Sequence, residues 1–440
     1  MIRTINPVVP GYREFRAANN PPTFGDFLFR SLVIFTMYLG IVVFHEPAPV
    51  DAMIVLCLLV GVLFGKLDVT AIEMVPLVAL VVFCLANLVS MHDPLDPVRA
   101  VWYVFVTLYL VASWFLFVGL IGRYGEPMMA TLVHAYCLAG LISAFLGIGG
   151  YLHLLPFQER LLLAGRARGL FKDCNVYGPY FVPMALFALM RLMDPRAAWR
   201  RKAVPTLLFV SALFAMLLSF SRACWLNFAV SLVVLFGAQH FYMSSGIAAR
   251  RRLRIGVFVL IAGALAVVVL INTPSVKQML DVRVTSNGLQ DYDRIRFATQ
   301  SLSLETAEEQ PLGIGPGQAE QVFGYATHSM YMRILSENGL AALIALLVFV
   351  GATAARALTL VRRADSEWVR EVNLVVLACI IGHLANSVVI DTVHWRHIWF
   401  VYALPWAPAC LRGQLWGSRL RGRATAKRAA TFRAPRLVGA

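Results

Sequence analysis

Apolar runs of about 20 residues recur along the chain, separated by short polar segments. A run of this length is what an α-helix needs to cross the hydrocarbon core of a bilayer. Run length predicts about twelve spans. They cover residues 25–44, 49–65, 71–90, 100–121, 128–150, 175–193, 203–219, 222–241, 254–272, 329–355, 371–390 and 394–411. The predicted fold class is all-α, a polytopic membrane helical bundle with a long, partly helical periplasmic loop between spans 9 and 10.

The composition supports this fold class. Hydrophobic residues make up 59% of the 440 residues and charged residues only 14%, whereas a soluble domain carries about 25% charged residues. The seven cysteines are scattered and show no paired spacing, so neither disulfides nor a zinc site is expected.

The basic residues predict an orientation in the membrane. Arginine and lysine cluster in alternate loops at 196–202, 250–254 and 356–370, and in the tail from Arg412 to Arg436. Short loops rich in these residues remain in the cytoplasm, so both termini are predicted to be cytoplasmic. The formal net charge of +15 then follows from topology. A lipid bilayer, and not nucleic acid, is the expected partner of the basic tail.

The pattern divides the chain into five segments. They are a cytoplasmic N-terminal segment (1–24), spans 1–9 (25–272), the periplasmic loop (273–327), spans 10–12 (328–411) and a basic tail expected to be disordered (412–440). Within the loop, DRIRFATQSLSLETAE has a helical pattern and GIGPGQ predicts a turn. This turn lacks the preceding strand and the following Lys-Ser or Lys-Thr pair of a phosphate-binding loop, so no nucleotide site is predicted there.

The segments predicted to face the periplasm contain many cations, which the positive-inside rule does not lead us to expect. These are Arg160, Arg166, Arg168, Lys172, Arg222, Arg283, Arg294, Arg296 and Arg396, with Arg333 just inside a span. The planar guanidinium group suits paired hydrogen bonds to phosphate oxygens. The alternative is that each arginine pairs with a nearby acid or extends toward lipid headgroups.

Four predicted spans begin on this face with polar residues. Asp173-Cys-Asn175 opens the sixth span, Ser221-Arg222 the eighth, His328-Ser329 the tenth and Asp391 to Arg396 the twelfth. A helix N-terminus offers unpaired N–H donors and the positive end of the helix dipole, which together bind anions. We therefore predict that Arg222, at the tight corner SFSRACW, holds phosphate at the depth of the lipid headgroups.

His328 is the last ionisable residue before the tenth span. Its near-neutral pKa suits a proton acceptor in group transfer, although a histidine at this boundary also fits a simple hydrogen-bonding cap. Glu337 lies about 13 Å further along an ideal helix. We expect it to pair with Arg333, one turn earlier, and not to act together with His328. Ionisable residues are sparse within the spans, which weighs against a transporter.

Four segments, in this order, resemble the O-antigen ligase superfamily, which also contains O-antigen and exopolysaccharide polymerases. They are GLFKDCNVYGPYF (169–181), SFSRACWLNF (219–228), PLGIGPGQAE with HSMYMRILSENGL (311–340) and HWRHIWFVYAL (394–404). The resemblance implies a bacterial inner-membrane glycosyltransferase that uses no metal or other cofactor. Its donor would be an undecaprenyl-diphosphate-linked oligosaccharide, and its active site would face the periplasm.

The resemblance also implies roles for residues. His328 and Arg222 would be catalytic, and the substrate-binding residues would be Arg166, Arg168, Asn175, Arg296, Ser329, Arg333 and Arg396. A ligase would pass the glycan to lipid A core, whereas a polymerase would pass it to a growing glycan. Ser329 and Ala342 stand where the family often has asparagine and glycine, so both enzymes stay open, with the ligase preferred. A lipid-linked sugar transporter is the less favoured alternative.

Overall fold

The computed structural model describes residues 23–69, 73–194, 197–243 and 288–406, with short stretches between 250 and 272. Its α-helices are α1 (Phe24–Leu39), α2 (Pro49–Leu63), α3 (Met74–Val89), α4 (Pro97–Tyr124), α5 (Glu126–Tyr151), α6 (Gln158–Leu161), α7 (Cys174–Leu192), α8 (Ala203–Leu218), α9 (Arg222–Ala238), α10 (Gly288–Glu309), α11 (Ala319–Phe323), α12 (Met330–Arg363), α13 (Glu367–Asn386) and α14 (Arg396–Ala403). Strands β1 (Leu162–Leu163) and β2 (Arg166–Ala167) pair antiparallel.

Seven helices among the described residues are long and apolar enough to cross a membrane. They are Met74–His92, Pro97–Tyr124, Glu126–Tyr151, Trp199–Leu218, Arg222–Tyr242, Met330–Arg363 and Glu367–Asn386. They match the predicted spans 3, 4, 5, 7, 8, 10 and 11. Helices α1, α2 and α7 form at spans 1, 2 and 6, and a shorter apolar helix, Leu253–Ala262, overlaps span 9. The helical membrane bundle is confirmed, while the count of twelve stays a prediction.

The last two predicted spans need corrected limits. The predicted span 371–390 is the helix Glu367–Asn386, because the hydroxyl of Ser366 accepts the N–H of Val369 and starts the helix four residues earlier. The predicted span starting at 394 begins as a helix at Arg396. The segment between these two helices, 387–395, is a connection that contributes side chains to the site described below.

Several predicted segments lie wholly or largely outside the described residues. Residues 1–22 include nearly all of the predicted N-terminal segment. Residues 273–287 open the predicted periplasmic loop, and residues 407–440 contain the end of the twelfth span and the basic tail. The remainder of this segment contains α10 and α11, so its partly helical character is confirmed, while its periplasmic location stays a prediction.

Three helices form the centre of the bundle, since α7, α13 and α14 are buried along most of their lengths. Helix α9 packs along α13, α8 along α7, and α3 along α12. At Gly382 on α13, an added Cβ would lie 2.6 Å from the backbone oxygen of Asn227 on α9. Glycine here permits the close helix contact that small residues give in membrane proteins.

The glycine-rich turn is held against a kink in α12. The carboxylate of Glu337 accepts the N–H groups of Gly317, at 2.7 Å, and Ala319, at 3.0 Å. Gly339 interrupts the helix with φ 80°, and a Cβ there would lie 2.5 Å from the carbonyl oxygen of Pro311. The predicted turn is confirmed, and it fixes the start of α11 beside α12.

Helix α10 packs through an unexpected face. The sequence places apolar residues along one side of this helix. They include Ile295 and Leu302, and both are exposed. Thr299 and Ser303 are buried instead, and each hydroxyl donates to a carbonyl one turn back along the helix. These local hydrogen bonds satisfy the buried hydroxyl groups, so a polar face packs without an unpaired donor.

Candidate functional site

A cavity of about 230 Å³ lies where α7, α12 and α14 begin. Its lining includes Glu46, Tyr103, Lys172, Asp173, Asn175, Glu320, His328, Arg333, Asp391, His394, Trp395 and Arg396. The predicted site residues Asn175, His328, Arg333 and Arg396 therefore meet at one cavity. Arg166, Arg168, Arg222, Arg296 and Ser329 are described residues outside this lining.

The start of α7 is built from two local interactions. Asp173 is the N-cap, and its carboxylate accepts the N–H of Asn175 at 2.7 Å. Arg166 is buried and donates from Nη2 to Asn175 Oδ1 at 3.0 Å and from Nε to the carbonyl of Ser219 at 2.8 Å. Arg166 thus connects a cavity residue with the corner that precedes Arg222.

Arg222 is the exposed first residue of α9, and Ser221 is its N-cap, accepting the N–H of Cys224 at 3.4 Å. The corner packs on α7, where a Cβ added at Gly178 would lie 2.5 Å from Ser219 Oγ. Arg222 therefore follows a segment joined to the start of α7. It is not part of the cavity lining.

Arg168 directly follows β2 and is half-buried. Its guanidinium group donates to the carbonyls of Arg160, at 3.3 Å, and Lys172, at 3.4 Å. It also lies 5.9 Å from the ring centroid of Phe44. Like Arg166, Arg168 has hydrogen-bond partners that are neutral oxygen atoms.

His328 has a strained backbone, with φ 48° in the left-handed region that side chains other than glycine seldom adopt. The next residues are fixed to the end of α13, because the N–H of Met330 donates to the carbonyl of Ser387 at 2.9 Å. The buried Ser329 hydroxyl contacts the same carbonyl at 3.5 Å. Such strain is often retained at functional sites, where the surroundings impose it.

Helix α10 provides the electrostatic environment of His328. Arg296 donates to the carbonyl of Val389, and Gln300 donates to the carbonyl of Thr327 at 3.4 Å. Burial and, next, the positive charge of Arg296 lower the pKa of His328 below its usual 6.5, against smaller opposite effects of acidic residues that include Asp173. The imidazole is therefore neutral at neutral pH.

Arg333 is buried and shared by two carboxylates. Its Nε lies 3.1 Å from Glu337 Oε2, and its Nη1 lies 2.5 Å from Asp391 Oδ2. The predicted pair of Arg333 with Glu337 is confirmed. Burial raises the pKa of Asp391, but the Arg333 guanidinium group, His394 and the N–H of Val393 together outweigh this, so the pKa lies below its usual value and the carboxyl stays charged.

Arg396 is also neutralised by carboxylates. It forms a two-point contact with Asp51 of α2, with distances of 2.7 Å from Nε and 2.8 Å from Nη2. Glu46 lies 3.7 Å from Nη1, and the ring centroid of Tyr109 lies 5.5 Å from the guanidinium carbon. These are the contacts of an arginine that joins α2, α4 and α14.

Sequence reasoning missed the acidic members of the site. Asp51, Glu46 and Glu320 were not among the candidates, and Asp391 was noted only as part of a helix start. The signals were weak because the partners are distant in sequence; Asp51 and Arg396 are 345 residues apart. The cavity lining therefore contains about as many carboxylates as cationic groups.

The fold and the cavity define a multi-pass helical membrane protein with a polar cavity at one end of its bundle. A family model described as O-antigen ligase matches residues 207–347. The match contains Arg222, Arg296, His328, Ser329 and Arg333, and it confirms the resemblance to the O-antigen ligase superfamily. It points to a membrane glycosyltransferase of ligase or polymerase type that handles lipid-linked glycans. No curated protein matches the chain.

Proposed function

We propose that the protein transfers a glycan from an undecaprenyl-diphosphate-linked donor to an acceptor hydroxyl bound in this cavity, without a metal ion. The preferred acceptor is lipid A core. The site faces the periplasm of a bacterial inner membrane, and both termini are cytoplasmic. The observation that carries the proposal is that His328 lines the cavity with a lowered pKa and a fixed backbone.

The proposed reaction exchanges one C–O bond for another. The acceptor oxygen attacks the anomeric carbon of the donor sugar, and the bond from that carbon to the diphosphate oxygen breaks. The proton of the acceptor hydroxyl moves to the unprotonated ring nitrogen of His328. A neutral imidazole can accept this proton at neutral pH, which is the role of a general base.

The leaving diphosphate gains negative charge as this bond breaks, and fixed cations stabilise that charge in the transition state. Arg166 and Arg168 suit this role because their hydrogen-bond partners are neutral oxygens. Arg222 adds a guanidinium group at the N-terminus of α9, where unpaired N–H groups also attract anions. The diphosphate is therefore assigned to the end of the cavity at the start of α7, where the lining residue Asn175 contacts Arg166.

The pH dependence of transfer is expected to report the charge of Arg296. Protonated His328 cannot accept a proton, so kcat/KM should rise with pH through a midpoint below 6.5, the usual pKa of histidine. Arg296→Gln removes a positive charge that disfavours protonation. The pKa of His328 should then increase and move the midpoint to higher pH, by about one unit or less.

Arg294→Gln is the matched control, because it removes the same charge from α10 two residues away, on another side of the helix. It should move the midpoint less than Arg296→Gln does. An equal shift in both variants, or a midpoint unchanged by Arg296→Gln, would contradict this role of Arg296.

Reconstitution tests the function as a whole. Full-length protein in lipid vesicles is supplied with an undecaprenyl-diphosphate-linked oligosaccharide and with lipid A core, and free lipid diphosphate and glycosylated acceptor are measured. A ligase should release lipid diphosphate only when lipid A core is present. Release together with lengthened donor glycans and no need for lipid A core would favour the polymerase. Movement of the donor across the membrane without release would favour the transporter.

A further inference from the structure

Arg333 has a donor that its protein partners do not use. The residue is 8% exposed and lines the cavity. Nε and Nη1 contact carboxylates, whereas the buried Nη2 has no hydrogen-bond partner. A buried donor without a partner costs free energy, so a ligand or an ordered water is the natural acceptor for it.

The charge around Arg333 identifies the kind of ligand. Two carboxylates, Glu337 and Asp391, share this one guanidinium group, so the cluster carries a net negative charge. An anion placed here would be repelled by the excess carboxylate. The ligand at this part of the cavity should therefore be neutral, with an oxygen for Nη2 and a hydroxyl that can donate to Asp391.

Aromatic rings complete this part of the cavity. The Tyr103 ring centroid lies 4.9 Å from the guanidinium carbon of Arg333 and 5.5 Å from the ring centroid of His394. Trp395 also lines the cavity. Rings of this kind give apolar contact area beside a few fixed polar groups, which is how protein pockets orient small ligands. A sugar ring, with hydroxyls at its edge and C–H groups on its faces, fits this combination.

We propose that Tyr103, Arg333, Asp391, His394 and Trp395 form a neutral-sugar subsite, separate from the part of the cavity that holds the diphosphate. Asp391 accepts a hydrogen bond from a sugar hydroxyl, and Arg333 Nη2 donates to a sugar oxygen. The sugar belongs to either the donor or the acceptor glycan. The proposal rests on the function proposed above, and it reassigns Arg333 from phosphate to sugar recognition.

Binding by two probes tests the subsite. The first probe is the neutral oligosaccharide that mild acid releases from the lipid-linked glycan of the bacterium that makes this protein. The second probe is inorganic pyrophosphate. Asp391→Asn keeps an oxygen for Arg333 but converts the other acceptor into a donor. In detergent-purified full-length protein it should weaken oligosaccharide binding at least about tenfold. Pyrophosphate binding should not weaken, since a negative charge has been removed.

Arg333→Gln should also weaken oligosaccharide binding, and it should weaken pyrophosphate binding less, because the diphosphate is assigned to the start of α7. Arg356→Gln is the control, because Arg356 lies at the other end of α12 in an ion pair with Glu73. It should change neither probe. The proposal is overturned if Asp391→Asn leaves oligosaccharide binding unchanged, whether or not pyrophosphate binding becomes stronger.

Kinetics distinguish the two possible sources of the sugar. In Asp391→Asn, a raised KM for the lipid-linked oligosaccharide alone assigns the subsite to the donor, and a raised KM for the acceptor alone assigns it to the acceptor. If the unmodified protein binds the oligosaccharide but performs no transfer, and Asp391→Asn loses that binding, the proposed function is rejected and the subsite is kept. Normal transfer with unchanged oligosaccharide binding would reject the subsite and keep the function.

Discussion

Replacement of His328 by asparagine is expected to lower the rate of glycan transfer by about 10²- to 10⁴-fold, the usual contribution of a general base. Asparagine tolerates the left-handed backbone at this position better than most residues, so the loop from Thr327 to Ser329 should keep its conformation. The side chain loses the ring nitrogen that accepts the proton. The measurement is single-turnover release of lipid diphosphate from a saturating donor, which separates chemistry from binding.

His153→Asn is the matched control for this variant. His153 has φ 58°, so the same substitution is made in the same backbone region, but its exposed ring contacts Gln158 at the start of α6 and does not line the cavity. It should transfer glycan at the normal rate. A His328→Asn protein with a rate within about threefold of the unmodified one would leave general-base catalysis without support.

Local signals explain why the helix starts were predictable. Ser221 and Asp173 act as N-caps through hydrogen bonds to residues two or three positions later, so the sequence contains both partners. The pair of Arg333 with Glu337 is equally local, because residues four apart lie on one side of a helix. These features need no knowledge of how the helices pack.

The carboxylate partners were not predictable in the same way. The sequence marks Arg396 as a cation at a helix start, but whether it is available to phosphate depends on Asp51, which tertiary packing brings to it from α2. Asp391 and Arg333 are 58 residues apart and meet only through the packing of the connection after α13. The arginines of the expected pyrophosphate site therefore fall into two groups. Arg333 and Arg396 are paired with carboxylates. Arg166 and Arg168 donate to neutral oxygen atoms.

The face of α10 shows a different limit. Hydrophobic periodicity predicts that the apolar side of a helix is buried, yet Thr299 and Ser303 are buried and Ile295 is exposed. The buried hydroxyls donate hydrogen bonds to carbonyl groups of the same helix, so a polar face can pack against its neighbours. Periodicity correctly predicted the helix and did not predict its orientation.

The pair of Arg396 with Asp51 is expected to have the largest effect on stability. Their side chains are 11% and 6% exposed, and removing one partner leaves a buried charge without its two-point contact. Asp51→Leu or Arg396→Met should each lower the free energy of unfolding by about 3–5 kcal/mol. The double variant should lose less than the sum of the two, because no unpaired charge remains from the pair. The measurement is denaturant unfolding in mixed micelles.

The control is Glu320→Gln in the pair with Arg99, whose side chains are 41% and 28% exposed, so its loss should cost about 1 kcal/mol or less. Single variants as stable as the unmodified protein would contradict a structural role for the pair.

The double variant also separates the two roles of Arg396. If Arg396 only joins α2 to α14, the folded double variant should still bind pyrophosphate normally. If Arg396 also holds the diphosphate, that binding should weaken while the fold is retained, because a leucine and a methionine supply no donor for phosphate oxygens.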